Sequence, residues 1–327
     1  MNPNRRHFIA GAAALAAQAT MPTLLRGEAK PVYPTRNLPF HLAVINDEIS
    51  QDFDHACSIA ANEFGLQFIE LRGTWNKNIA DLNDAEIAEA RRILAKYKLT
   101  VTDIASPLFK TEIPGGKAAP GAAVDNFGAT FTYDRQHEVL ERCIHLAKSF
   151  STSRVRCFDF VRLAEPKPFL PEIHEQLRKA SVALAKENLI LLLENEHTCN
   201  TATGAEAAAT LAAVQNTNFM LNWDPANAAA AGEVPFPAGY SLLPKNRIGH
   251  CHCKDIKERA HSIGGEPLWA AVGDGMVDWR GQIRALIQQK FSHTLSLETH
   301  WRGAGTAEAS TRQSMAGLQK ILAEIGA

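Results

Sequence analysis

Short apolar runs alternate with longer amphipathic stretches along most of the chain. The apolar runs are rich in Val, Ile, Leu or Phe and have the length of buried strands. They lie at 41–46, 67–71, 99–105, 153–159, 189–194, 218–223, 247–253 and 293–298. Amphipathic stretches typical of helices lie at 52–64, 84–97, 134–149, 169–187, 204–214, 278–289 and 307–325, with room for a turn or two at 236–244. Repeated strand–helix units predict a parallel sheet closed into a (β/α)8 TIM barrel.

A doubly wound open sheet is the alternative fold for this alternation. The G-x-G-x-x-G fingerprint that opens many such sheets does not follow the first strand, which favours the barrel. Two long loops interrupt the rhythm, one around Gly115–Gly121 after the third strand and one at 256–277 after the seventh. Loops at this end of a barrel serve either as walls over a substrate or as plain surface insertions.

The N-terminal segment predicts export. Arg5 and Arg6 precede an Ala-rich apolar run over 10–17, and an A-x-A pattern follows directly. This order is typical of a twin-arginine signal, the alternative being an uncleaved amphipathic tail. We therefore expect residues 1–30 to be a signal peptide with a short linker and residues 31–327 to form a single barrel domain. The mature protein is then expected in the periplasm, without membrane insertion.

Composition narrows the range of partners. The 327 residues carry a formal net charge of -1 with both signs interspersed, so neither nucleic acid nor an anionic membrane surface is expected. An apolar content of 46% supports a large core. The six cysteines fall mostly inside apolar runs, which predicts small buried side chains. Cys251 and Cys253 form a C-x-C pair, but without a second pair this is a weak zinc signal.

Acidic and histidine side chains end four successive predicted strands. Glu194 ends the fifth run, Asp224 follows the sixth, His250 and His252 lie in the seventh, and Glu298 ends the eighth. Because residues two apart share a face, Glu298 lies opposite Leu295 and Leu297 and is expected inside the barrel. The carboxyl ends of barrel strands converge on one pocket, so we expect these side chains to meet.

Three carboxylates gathered at one barrel mouth repel one another unless something neutralises them. A divalent cation does so, and three oxygen ligands with one nitrogen suit manganese, magnesium, cobalt or zinc. The alternative is a set of unrelated surface charges or ion pairs at strand ends. Their recurrence on consecutive strands favours the metal site.

The chain resembles the xylose isomerase-like family of sugar phosphate isomerases and epimerases. The resemblance runs from about residue 40 to the C-terminus and rests on segments 46–50, 69–72, 193–195, 222–225, 250–255 and 297–300. It implies a xylose isomerase-like barrel whose divalent metal ion is held by Glu194, Asp224, His252 and Glu298. Manganese is the first candidate metal. The resemblance also implies that Glu194 and Glu298 are the catalytic acid and base, one removing a proton of the substrate and the other returning it.

Further polar residues near the strand ends are candidates for binding the substrate. They are Arg72, Lys110, Arg156, Glu196, His197, Asn227, His250 and Lys254. The two arginines suit hydroxyl or phosphate groups, and Lys110 and His197 are also candidate acids or bases. For each, a plain solvated, ion-paired or core role is the alternative. Epimerases of the family have a histidine where this chain has Asn227, and an arginine shortly after the metal-binding histidine, where this chain has lysines.

The function that the resemblance implies is proton transfer next to a carbonyl of a carbohydrate, by an isomerase or an epimerase. The same enolate can lose a β-substituent, so a lyase acting on 3-keto-glycosides or keto-inositols is the alternative, which Asn227 favours. Export favours an unphosphorylated substrate. A non-catalytic sugar-binding barrel is an alternative of another class. An endonuclease IV-like phosphodiesterase is disfavoured by the few strand-end histidines and the balanced charge. Relatives often pair through barrel helices, so a homo-oligomer is a further possibility.

Overall fold

The computed structural model describes residues 38–122, 131–258 and 267–327. The predicted export segment, residues 1–30, lies outside the described residues. The central sheet consists of β1 (His41–Val44), β2 (Phe68–Leu71), β3 (Thr100–Leu108), β4 (Arg154–Cys157), β5 (Ile190–Glu194), β6 (Phe219–Trp223), β7 (Ile248–Cys253) and β8 (Thr294–Leu297). Each strand overlaps one of the predicted apolar runs.

The eight strands form one parallel sheet in the order β1-β8-β7-β6-β5-β4-β3-β2. At its ends, an isolated parallel bridge between Ile45 and Glu70 brings the first two strands together. The register pairs His41 with Thr294, so the beginning and the end of the described chain are neighbours in the sheet. The predicted (β/α)8 barrel is confirmed.

The helices lie between the strands in the expected alternation. In the described chain they are α1 (Phe53–Ser58), α2 (Asp84–Tyr97), α3 (Gln136–Ser149), α4 (Leu170–Ala185), α5 (Gly204–Ala213), α6 (Pro225–Ala230), α7 (Tyr240–Leu242), α8 (Trp279–Gln288) and α9 (Ala307–Ile325). A π-helical turn, Ile59–Glu63, extends α1. The sequence begins α2 and α5 with capping boxes, Asn83 with Glu86 and Thr203 with Glu206, which satisfy free backbone N–H groups.

The sequence pattern did not predict one short helix, α6. Helix α6 is too short to show a periodic pattern, but its beginning has a clear signal because Asp224 caps it and Pro225 occupies its first turn. The side-chain Oδ1 of Asp224 accepts a hydrogen bond of 2.9 Å from the backbone N–H of Asn227. The cap therefore fixes the direction of a carboxylate that the sequence predicts in the metal site.

The core lies between the barrel and its helices. Alternate strand residues such as Leu191 and Leu193 are fully buried, and all six cysteines are buried and unpaired, as predicted. Within the described ranges, no helix combines the length and apolar character needed to cross a membrane.

A register shift in β7 adjusts the position of the barrel histidines. Leu221 pairs with Ile248, whereas the next residue of β6, Asn222, pairs with His250, so Gly249 is the extra residue. A Cβ atom at Gly249 would lie 2.8 Å from the Leu192 side chain. A side chain at this irregular point would crowd Leu192 and Met220, and the shift sets the register of His250 and His252 against β6.

Candidate metal centre

The four predicted ligands meet at the carboxyl end of the barrel. One ligand atom from each of Glu194, Asp224, His252 and Glu298 lies within 4.8 Å of the others, and all four residues are buried. Nδ1 of His252 lies 3.2 Å from Oε1 of Glu194 and 3.2 Å from Oε2 of Glu298, with Oδ2 of Asp224 at 3.9 Å. The imidazole thus faces three carboxylates from neighbouring strand ends.

The local sequence holds these groups in place. Glu194 is the last residue of β5, and Asn195 after it binds both backbone groups of Asp224, accepting from its N–H at 2.7 Å and donating to its carbonyl at 2.8 Å. The backbone N–H of Glu298 donates to the carbonyl of Cys253 at 3.0 Å, which continues the β8–β7 pairing. Strand pairing and one asparagine side chain therefore fix the three carboxylates relative to β7.

Three cations lie against the carboxylates. Nζ of the fully buried Lys254 is 2.7 Å from Oε2 of Glu298 and 2.8 Å from Oδ2 of Asp224. Arg156 lies 3.0 Å from Oε2 of Glu194, and Arg72 lies 2.8 Å from Oε1 of Glu298. These cations offset part of the repulsion that the sequence argument assigned to a metal alone. The negative charge alone is therefore weak support for a metal site, and the arrangement of the donor atoms is the stronger support.

The balance of burial and charge differs between the ligands. Burial alone would raise the pKa of Glu298, but Lys254, His300 and His252 lower it well below its usual range. For Glu194, His252 and Arg156 likewise outweigh burial and lower the pKa. Burial raises the pKa of Asp224 to about 6 despite the nearby Lys254. The two glutamates are therefore carboxylates near neutral pH.

The donor set fits a divalent cation. Oε2 of Glu194 and Oδ2 of Asp224 are buried oxygens that accept no hydrogen bond from the described residues, although Arg156 lies 3.0 Å from the first and Lys254 2.8 Å from the second. A buried carboxylate oxygen needs a partner, and a metal ion satisfies it. Three carboxylates and one imidazole match the ligand preferences of manganese, magnesium, cobalt and zinc.

A second group lies beside these ligands, towards the protein surface. Nδ1 of His197 is 2.7 Å from Oε1 of Glu196, whose other oxygen has Lys110 at 3.9 Å. The Asn227 amide connects the two groups, because its Nδ2 lies 3.3 Å from Oε1 of Glu194 and 3.4 Å from Oε2 of Glu196. The structure therefore brings these four substrate-binding candidates together next to the predicted ligands.

Trp269 covers part of this mouth, and the sequence did not single it out. Its ring lies 4.9 Å from Nζ of Lys254 and packs edge-on against His197 and His300. It comes from the long loop after β7, where Trp269–Ala270 pairs with Asp255–Ile256. A single tryptophan in a loop has no sequence pattern to mark it. The loop, predicted as a possible substrate wall, places an aromatic face at the site.

Three substrate-binding candidates are buried against carboxylates instead of being open to a substrate, namely His250, Arg72 and Arg156. His250 is fully buried and contacts Glu70 and Asp103 beneath the metal ligands. Both arginines are buried and directed at carboxylates, and Arg156 also donates to the carbonyl of Ala105 at 3.0 Å. The structure thus places His250 one layer below the site and the two arginines around it. Glu70 in this lower layer was not predicted as a site residue, because its partners are more than 170 positions away.

The family model described as xylose isomerase-like TIM barrel matches residues 59–321. The chain belongs to this family. The match spans all but the first barrel strand and so includes the four strand ends that carry the predicted ligands. Family membership establishes the fold of the chain.

Solved structures of similar fold share little sequence with the chain. A probable 3-DHS dehydratase involved in petrobactin synthesis from Bacillus anthracis is 20% identical, with 87% of this chain and 99% of that chain covered and a TM-score of 0.64. A xylose isomerase-like protein from Mycobacterium smegmatis in complex with magnesium is 17% identical, with 88% of this chain and 98% of that chain covered and a TM-score of 0.61. The D-psicose 3-epimerase from Clostridium cellulolyticum H10, solved with D-tagatose, is 12% identical, with 88% of this chain and 98% of that chain covered and a TM-score of 0.61. No curated protein matches the chain. These similarities establish the fold alone.

Proposed function

We propose that the protein is a metal-dependent isomerase or epimerase that transfers a proton next to a carbonyl of a carbohydrate. The observation that carries this proposal is the pair of ionised glutamates, Glu194 and Glu298, each with an oxygen 3.2 Å from the His252 Nδ1 within a group that fits a divalent cation. Such a pair suits removal of a proton from one face of a substrate and its return from another.

Manganese is the first candidate for the metal, with magnesium, cobalt or zinc as alternatives. Glu194, Asp224, His252 and Glu298 would hold it. A divalent ion held by these residues would supply Lewis acidity, which would offset negative charge developing on the substrate oxygens. The similar protein from Mycobacterium smegmatis was solved with magnesium, which supports an oxygen-rich divalent site of this kind.

The side chains at the mouth favour a substrate without a phosphate group. Lys254, Arg156 and Arg72 already lie within 3.0 Å of carboxylate oxygens, and Lys110 is the described cation nearest to the outer group of Glu196 and His197. Trp269 offers an aromatic face of the kind that packs against sugar rings. An uncharged carbohydrate fits these groups, and the proposed export to the periplasm agrees with it.

A lyase is the second candidate, supported by the pair of Glu196 and His197. Burial alone would raise the pKa of Glu196, but Lys110 and His197 lower it well below its usual range, so this carboxylate stays ionised and accepts a hydrogen bond from the imidazole Nδ1. The other ring nitrogen of His197 is then available as an acid or base for a departing oxygen. A similar fold also occurs in the probable 3-DHS dehydratase, whose name describes an elimination.

The test is deuterium wash-in followed by proton NMR. Purified protein with manganese in D₂O is incubated with free ketoses and with 3-keto-glycosides. Deuterium at the carbon next to the carbonyl, with the skeleton intact, supports the isomerase or epimerase. Release of the glycosidic substituent moves the assignment to the lyase.

Two variants connect the chemistry to the residues. Glu298→Gln keeps the side-chain shape and removes the carboxylate, so exchange should be lost. Glu308→Gln, a partly buried acid of α9 paired with His55 and Arg312, should retain it. Full exchange in Glu298→Gln would contradict the paired-base mechanism. Tight sugar binding without exchange in the metal-loaded wild type would indicate a non-catalytic sugar-binding barrel instead.

A further inference from the structure

A layer of buried acids and histidines lies directly beneath the candidate metal centre. Glu70 on β2 is fully buried, and its two oxygens face two imidazoles of β7. Oε1 is 3.0 Å from Nε2 of His252, and Oε2 is 3.1 Å from Nε2 of His250. On the far side of His250, Nδ1 lies 3.7 Å from Oδ1 of Asp103. One carboxylate thus contacts both inward-facing histidines of the strand.

The two nitrogens of His252 face different surroundings. Nδ1 faces the carboxylates of the candidate metal centre, and Nε2 faces Glu70. A carboxylate has no hydrogen to donate, so the nitrogen that contacts Glu70 must carry the proton. The same ring can then offer the lone pair of Nδ1 to a metal ion. The inverse arrangement would put a proton on Nδ1 and leave two lone pairs in contact at Nε2.

We propose that Glu70 is a positioning residue, which holds the proton of His252 on Nε2 and so directs Nδ1 at the metal centre. The inference rests on the metal site of the proposed function, but not on its substrate or reaction. Metal-binding histidines generally donate their second N–H to a carboxylate or carbonyl, and loss of such a partner typically lowers metal affinity about 10- to 100-fold. The proposal identifies that partner in this chain as Glu70.

The surroundings of Glu70 make it suited to this role. Its second oxygen is occupied by His250, so the carboxylate cannot rotate away from His252 without leaving another buried group unpaired. The Asn222 amide also lies 3.0 Å from Nε2 of His252, but an amide can present either its oxygen or its nitrogen and does not by itself select a tautomer. The Glu70 carboxylate therefore selects the tautomer of His252 that carries its proton on Nε2.

The experiment compares metal affinity and imidazole protons in Glu70→Gln, Glu70→Ala and the wild type, all as the full chain. Calorimetric titration with Mn²⁺ should give an affinity lowered about 10-fold in Glu70→Gln and nearer 100-fold in Glu70→Ala. The glutamine retains one acceptor oxygen and so supports the tautomer in part. Asp159→Asn is the matched control, since Asp159 is an equally buried carboxylate that accepts from Thr201.

Proton NMR of ¹⁵N-histidine-labelled protein provides a second readout, with and without Zn²⁺. The Nε2–H of His252 should be observed as a slowly exchanging proton in the wild type and in Asp159→Asn, and it should be lost in Glu70→Ala. Retention of this proton in Glu70→Ala, or an unchanged Mn²⁺ affinity in that variant, would overturn the proposal. Circular dichroism verifies folding, and the isosteric Glu70→Gln remains decisive if the alanine variant is unfolded.

These outcomes separate the inference from the proposed function. If the wild type binds metal but exchanges no proton of any sugar, the chemistry fails while the role of Glu70 is still measured. If the wild type binds no metal, the NMR arm alone still decides whether Glu70 holds the proton of His252.

Discussion

The two halves of the barrel contribute different kinds of groups to the site. Strands β5 to β8 and the residues after them supply the four candidate metal ligands. Strand β2 with the residue directly after it, and strand β4, supply the groups that surround these ligands, namely Glu70, Arg72 and Arg156. Lys254, on the second half, is the exception, since it is a cation among the ligands.

The two halves therefore have different roles, one in placing the ligand atoms and the other in neutralising and orienting them. The second half places donor atoms around one point, and the first half compensates and orients them from outside. Loss of a first-half residue should therefore appear as lost stability or a misdirected ligand, and loss of a second-half residue as lost metal binding. The following experiments test that difference, beginning with the largest expected effect.

Arg72→Met should destabilise the fold by about 3–5 kcal/mol, the usual effect of removing one partner of a buried ion pair. Its guanidinium lies within 3.0 Å of carboxylate oxygens of Asp47, Glu48 and Glu298, which would all lose this partner. Urea unfolding of the metal-free protein measures the change. The control Arg312→Met removes an arginine paired with two acids on the surface, where about 1 kcal/mol or less is expected. Equal losses in the two variants would contradict the structural role of the first half.

Asp224→Asn should lower Mn²⁺ affinity more than 100-fold, beyond the range of about 10- to 100-fold for residues that only orient a ligand. Asparagine caps a helix as well as aspartate, so α6 should persist. Asp278→Asn, at the matching cap position of α8, is the control and should bind as the wild type does. Affinity within 10-fold of the wild type in Asp224→Asn would remove Asp224 from the ligand set.

The smallest effect concerns the opposite end of the barrel, where the halves also meet. Burial and Arg154, whose Nη2 donates to Nδ1 of His293 at 2.7 Å, lower the pKa of His293 from 6.5 to about 4. The unfolded chain then binds more protons than the native state between these values, so stability should fall as pH decreases from about 6.5 to 4. His293→Phe should flatten this part of the curve in urea titrations at successive pH values. An unchanged slope would show that His293 does not contribute to it.

The fold and the ligand positions could be predicted because both follow from local patterns. Apolar runs identified all eight strands, and the two-residue period put Glu298 on the inner face. Helix α6 and the extra Gly249 were missed, since neither has a repeat long enough to recognise. The ion pairs of Lys254 with Asp224 and Glu298 were also missed, because a sequence does not show which distant carboxylates a lysine will meet.

The lower layer illustrates a more general limit. A buried glutamate on β2 has the same local sequence environment whether it packs alone or orients a ligand, and Glu70 meets its partner His252 across 182 positions. The sequence put His250 deeper in the barrel than His252 and left open whether it binds substrate or belongs to the core, but it did not show that Glu70 and Asp103 would be its partners. Such assignments need the three-dimensional register.

The pairing of β1 with β8 has a consequence for biosynthesis. His41 pairs with Thr294, so the sheet closes only after the ribosome has added the last strand, and Glu298 follows that strand directly. A nascent chain that ends before β8 therefore contains Glu194, Asp224 and His252 but lacks Glu298, the fourth candidate ligand. Contacts between distant parts of a chain form late and slowly in folding. The complete set of candidate ligands can accordingly assemble only after the last barrel strand and Glu298 have been synthesised.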